Sequence, residues 1–160
     1  MRLVFRVTPR QRLIITDHAI EQMLGFTQHR WWHSEAGGAL LGRHLLDSKD
    51  VVVDEVTTPQ KSDRRSRFSF FRSTRHEALA RGRWQEQLNT VAYLGLWHTH
   101  PEEEPTPSRI DRMDWQQAVS RDTFEGSRLF FPIVGTRCIR VWCLSRRGAF
   151  RELKEEIRNA

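Results

Sequence analysis

Short apolar runs recur along this chain and constrain what it can fold into. RLVFRV at 2–7, RLIIT at 12–16, ALLGRHLL at 39–46, VVVDEVTT at 51–58, TVAYLGLWH at 90–98, SRLFFPIVG at 127–135 and TRCIRVWCLS at 136–145 are rich in β-branched and aromatic residues. Bounded by turn formers, such runs read as strands; crossing a bilayer as a helix would take ~18 apolar residues in succession. The runs at 39–46 and 51–58 suit a hairpin around Asp47–Asp50. Three segments carry helical signals instead. Thr16 or Asp17 can cap a helix with Ile20, Met23 and Leu24 on one face, running towards Trp31–Trp32 and ended by Gly37–Gly38. A polar helix follows Ser73 or Thr74 to near Gln87, and another begins at Ser108 and covers about 109–121. AFREL at 149–153 adds a last strand ahead of a charged, frayed tail. This irregular alternation predicts an α/β or α+β chain, one sheet with packed helices. Its 160 residues suffice for one domain and are too few for a (β/α)8 barrel.

The net charge is +6, from 26 basic and 20 acidic residues, and only Lys49, Lys61 and Lys154 are lysines. A balance of that sign allows nucleic acid or an acidic protein as partner and does not choose between them. MRLVFRVTPRQR at the start lacks the apolar stretch and small-residue cleavage site of a secretory signal, so a soluble cytoplasmic protein with no membrane partner is expected. Cys138 and Cys143, five apart, fall on opposite faces of a strand and are expected as half-buried residues that neither bridge nor share a metal. The most basic stretch is KSDRRSRFSFFRSTR at 61–75. It reads as a solvated face, as a grip on an acidic or backbone-rich substrate tail, or as a nucleic-acid platform with Phe68, Phe70 and Phe71 stacking on bases. The third reading is the least favoured, because three phenylalanines so close also read as core and strand.

HTHPEEEPTPSRID at 98–111 carries the chemistry. His98 and His100 sit two apart at the end of an apolar strand, so both imidazoles point to one side, with Trp97 and Thr99 packing on the other. Two imidazoles supply half of a tetrahedral zinc shell. Asp111, three residues into the next helix, can turn a carboxylate back towards the strand end, leaving the fourth position open for water. Ser108 and Asp111 are equally a helix cap, and capping alone would account for both. A base is still needed. Glu102, Glu103 and Glu104 lie near in sequence in a loop expected to face solvent; Glu35, where a helix is expected to meet a strand, is the other candidate, and spacing alone does not choose. The chain has no His-Glu-x-x-His, which excludes a helix-borne zincin.

These motifs resemble the signature of the JAMM (MPN-plus, JAB) metallopeptidases. His98-Thr99-His100-Pro101 is followed by six residues and then Ser108-Arg109-Ile110-Asp111; the second histidine precedes the serine by eight and the aspartate by eleven. EAGGALLG is similar to the family's Glu-x-x-Gly-x-Leu-x-Gly block, with Glu35, Gly38, Leu40 and Gly42 in place. The resemblance spans about residues 12–145 and implies a single JAMM/MPN domain over 1–160, a curved mixed sheet with a long helix on each side. It implies that His98, His100 and Asp111 bind one Zn²⁺, that Glu35 holds and deprotonates the zinc water, and that Ser108 donates to the oxyanion. The implied substrate is the C-terminal tail of a conjugated protein, extended beside a sheet edge.

A narrower resemblance is to short bacterial JAMM proteins of CBASS anti-phage operons, which accompany a cyclic-nucleotide synthase. YLGLWHTHP at 93–101 and DRRSRFSF at 63–70 match blocks shared by that group, although Leu96 stands where the group often has an acidic residue. It implies removal of the synthase from targets to which its C-terminus is joined. The alternatives are a JAMM peptidase that trims a ubiquitin-like or sulfur-carrier protein, and a non-catalytic MPN scaffold. Such scaffolds usually lose a metal residue, whereas this chain keeps the full set.

Overall fold

The computed structural model describes residues 1–87 and 90–156. β1 (Leu3–Thr8) and β2 (Gln11–Ile15) form the first hairpin, and α1 (Asp17–Leu24) follows directly. β3 (Gly37–His44) and β4 (Val51–Val56) form the second hairpin; β5 (Arg64–Ser66) and β6 (Ser69–Phe71) form a small separate one. After α2 (Arg75–Glu86) come β7 (Ala92–Thr99), α3 (Arg109–Arg121), β8 (Arg128–Val134), β9 (Ile139–Ser145), β10 (Phe150–Glu152) and β11 (Lys154–Glu155). Nine strands make one mixed sheet in the order β10-β9-β8-β7-β3-β4-β2-β1-β11. The β2–β4 and β7–β8 pairs are parallel and the others antiparallel.

Helices cover both faces. On one, α1 sets Ala19, Ile20 and Met23 against Leu13, Ile15, Val53 and Trp97. On the other, α3 sets Trp115, Ala118 and Val119 against Leu96, Leu129, Phe131 and Trp142. Burying a large apolar side chain contributes ~1.5–3 kcal/mol, so α3, otherwise polar, is held mainly by this stripe. The Trp115 ring stacks on Phe131 at 4.7 Å and fixes the rotation of the helix.

One irregularity decides which way β7 faces. Opposite β3, Leu40 pairs with Gly95 and Leu41 with Tyr93, so the ladder slips by one residue at Leu94. The bulge resets the alternation. Leu94 and Trp97 enter the α1-side core, while Leu96 joins the α3 side. Gly95 adopts φ 146°, and a Cβ there would run into the Phe130 carbonyl of β8, so only glycine suits the position.

Several expectations are corrected. α1 stops at Leu24, well short of Trp31–Trp32: the Gly25 amide donates to the Glu21 carbonyl, and the Thr27 hydroxyl donates to the Leu24 carbonyl at 2.8 Å, closing the last turn. Residues 25–36 form an irregular segment in which Trp31 and Trp32 are 75% and 61% exposed. Gly37–Gly38 open β3 instead of ending a helix. Among the described residues the helices span 8, 12 and 13 residues, shorter than the long flanking helices expected. Part of the expected frayed tail is strand, with Lys154 and Glu155 pairing with Arg6 and Phe5; its remainder, 157–160, lies outside the described residues. Cys143 is buried in β9, and Cys138 sits just before that strand. No helix among the described residues is long and apolar enough to cross a membrane.

Candidate functional site

β7 ends at Thr99 in the interior of the sheet, between β3 and β8. Downstream of the bulge, His98 and His100 lie on the α3 side, the His98 ring 6.2 Å from Trp115. Thr99 points the other way, fully buried, its hydroxyl accepting from the Ala36 amide at 2.9 Å and donating to Gln28 Oε1 at 2.8 Å. Trp97 is likewise buried and donates its indole N–H to the Thr57 carbonyl at 2.9 Å. The expected division of this strand into two histidines on one face and two packing residues on the other is what the backbone produces.

α3 brings the carboxylate. Ser108 is its N-cap, and a full capping box forms: Ser108 Oγ accepts from the Asp111 amide at 3.1 Å and Asp111 Oδ2 from the Ser108 amide at 2.7 Å. The same Oδ2 lies 3.2 Å from Nε2 of His98 and 3.2 Å from Nε2 of His100, which are 3.0 Å from each other. Capping and site geometry are therefore properties of one conformer of Asp111. In a tetrahedral zinc site with ligands at ~2.0–2.1 Å, donor atoms stand ~3.3 Å apart, close to the edges of this triangle. Two ring nitrogens aimed at each other across 3.0 Å need a proton or a cation between them. His98, His100 and Asp111 could hold a metal, and they are the one His/Cys/Asp/Glu group among the described residues arranged to do so.

Glu35 completes the cluster from a third segment. Its Oε1 lies 3.8 Å from His100 Nε2, and the residue is 6% exposed. It stands in the irregular segment just before β3, not at the end of a helix as expected. Burial pushes the Glu35 carboxyl up to about 8, against the pull of His100. Burial also works against a charge on Asp111, but hydrogen bonds from His100 and His98 overcome it and hold that carboxyl well below the usual range. His100 is raised because Asp111, Glu35 and Glu102 together outweigh its burial. Three carboxylates around two imidazoles form a sink for positive charge.

Glu102 is exposed, as expected, and also has a contact that the sequence reading did not foresee: its Oε1 lies 2.7 Å from His100 Nδ1, leaving Nε2 to face the cluster. The available signal was the period of two: His98, His100 and Glu102 continue one alternation past Pro101. Glu103 and Glu104 are exposed as well. Gln28 had no signal at all, although it links Thr99 to the Arg67 carbonyl at 2.8 Å.

Comparison with known proteins gives concordant findings. A family model described as prokaryotic homologues of the JAB domain matches residues 18–149. A Pseudomonas aeruginosa protein named CD-NTase/cGAS isopeptidase is 42% identical over 88 residues, 54% of this chain and 54% of that one. Proteins of the same name from Vibrio cholerae and Escherichia coli are 29% identical over 123 residues and 28% over 108; these matches cover 76% and 67% of this chain, and 78% and 68% of theirs. The match thus spans only about half the length of the Pseudomonas relative. In fold, the chain is similar to a solution structure of a Desulfitobacterium hafniense protein, with TM-score 0.60, 24% identity, and 86% and 87% of the two chains covered.

Proposed function

The chain belongs to the prokaryotic branch of the JAB domain family, and from that premise we propose that it is a zinc-dependent isopeptidase that releases a CD-NTase, a cyclic-nucleotide synthase, from proteins to which its C-terminus has been conjugated. The convergence of Glu35, His98, His100 and Asp111 from three separate segments carries this reading. The name shared by the bacterial relatives supports the choice of substrate.

His98, His100 and Asp111 hold the ion. Bound there, Zn²⁺ supplies a Lewis acid that polarises the scissile carbonyl and lowers the pKa of water. Glu35 takes the proton of the attacking water at its buried carboxylate. As the C–N bond breaks, it returns that proton to the leaving amine. Ser108 Oγ accepts from the Asp111 amide, so its own hydrogen is free to be donated to the oxyanion. Glu102 holds the tautomer and plane of His100. Residues 1–160 act as one peptidase domain in the cytoplasm.

The test is a CD-NTase carrying a fusion at its C-terminus, incubated with the zinc-loaded chain and read by intact mass. Cleavage immediately after the synthase's last residue, abolished by chelator and restored by Zn²⁺, is expected. No cleavage of such a fusion alongside cleavage of an extended sulfur-carrier protein would reassign the substrate.

A further inference from the structure

The segment at 61–75 is the most basic stretch of the chain, and the mechanism above leaves it unused. Its geometry is that of a brace. Glu35 stands in a segment without regular structure, and both of its backbone polar groups end on β5: its amide donates to the Ser66 carbonyl at 2.7 Å, and its carbonyl accepts from Arg65 Nε at 2.7 Å. At the other end of the same hairpin, Arg72 makes a two-pronged contact with Asp114, at 2.9 and 2.8 Å. Asp114 lies three residues beyond Asp111 on α3. The hairpin therefore touches the candidate base at one end and the helix of the metal carboxylate at the other.

Its neck is fixed to the sheet as well. The Asp63 carboxylate, fully out of solvent, accepts from the Gln60 and Ser73 amides at 2.8 Å each and contacts His76 Nε2 at 2.8 Å. The Thr57 hydroxyl accepts from the Ala39 amide at 2.7 Å and pairs with His76 Nδ1 at 2.6 Å, while His76 Nε2 faces Asp63. Phe70 packs where a Cβ on Gly37 would stand, two residues beyond Glu35. A freely solvated charged loop would not be tied both along β5 and at its neck, where Asp63, Arg72 and Ser73 lie together.

We propose that the β5–β6 hairpin sets the position of Glu35 relative to α3, with Arg65 and Arg72 as positioning residues of the hydrolysis proposed above, on which this inference rests. A base displaced by ~1 Å can lose ~100-fold in rate, which makes such a brace matter to chemistry more than to folding. Arginine is required at 72 because only its planar fork meets both oxygens of Asp114.

The experiment compares Arg65→Ala, Asp114→Arg, the exchange Arg72→Asp/Asp114→Arg, and Arg64→Ala, whose side chain only lies over Phe71. Assays of the zinc-loaded chain on the CD-NTase fusion run well below each variant's melting temperature. Arg65→Ala and Asp114→Arg are expected to lower kcat about tenfold or more, with KM and zinc affinity within about twofold of the parent. The exchange recovers most of the loss, and Arg64→Ala matches the parent. Independently of activity, amide exchange at Glu35 in the metal-free chain, followed by NMR, is expected to accelerate about tenfold in the two impaired variants and to slow again in the exchange. Unchanged Glu35 exchange and unchanged kcat overturn the brace. So does a rise in KM common to Arg64→Ala and Arg65→Ala at constant kcat, which would make the arginines a grip on substrate. A parent chain that cleaves no fusion sinks the deconjugation reading alone, because the exchange rates still judge the brace.

Discussion

Replacing Glu35 by glutamine keeps the size of the side chain and removes its ability to take a proton. Glu35→Gln is expected to lower kcat by roughly 10²–10⁴ while zinc content, measured by atomic emission, stays at the parent level, since its oxygen lies outside the His98–His100–Asp111 triangle. Loss of zinc on that substitution would make Glu35 a ligand. Glu102 acts one step further out. Removing the partner of His100 Nδ1 in Glu102→Ala is expected to weaken Zn²⁺ binding roughly 10–100-fold in competition with a chromophoric chelator, whereas Glu103→Ala leaves it unchanged. The grouping of His98, His100 and Asp111 and the alternation around it were legible in the sequence because a strand end and a capped helix start impose their geometry locally. Glu35 was legible only through family likeness: its hydrogen bonds run to Arg65 and Ser66, some thirty residues away in the chain, and no local pattern encodes such a pairing.

At the level of elements, most strands and the α3 cap followed from apolar runs and from Ser108, but the bulge in β7 did not. Glycine inside an apolar run signals weakness or a bulge without saying which. Here it decides that His98 faces α3 and Trp97 faces α1. Gly95→Ala must therefore either strain φ or push β8 aside, and is expected to destabilise the chain by roughly 2–4 kcal/mol in urea unfolding, with loss of metal binding accompanying any shift of register. The end of α1 was misread for a related reason. Gly25 and Thr27 close the helix through their own hydrogen bonds, while the apolar period continues to Leu24, which is itself half-exposed, and the tryptophans beyond it suggested a longer helix than forms.

For the molecule as a whole, the neck of the hairpin links stability to pH. Burial opposes the charge on Asp63, yet the Gln60 amide, His76 and the Ser73 amide hold its carboxyl down at about 2, below the value of 3.8 for a free aspartate. The folded state thus binds this proton more weakly than the unfolded chain. The resulting stabilisation is complete above pH 3.8 and disappears as pH falls towards 2. Against the parent, Asp63→Asn is expected to show a lower urea midpoint by an amount constant at pH 5 and 6, with the gap closing between pH 4 and 2; a gap that widens in acid would contradict the assignment. The placement of β7 reaches furthest. His98 projects from a strand with paired neighbours on both sides, and His100 follows one residue past its end with its amide held by the Val134 carbonyl, so their spacing is inherited from the backbone and does not wait for an ion to gather them. On the proposed function, such a socket is expected to be emptied and recharged without refolding: chain stripped of metal would keep as a dormant stock, woken by the cation alone, and cobalt in place of zinc would turn the centre into a coloured gauge of its own occupancy.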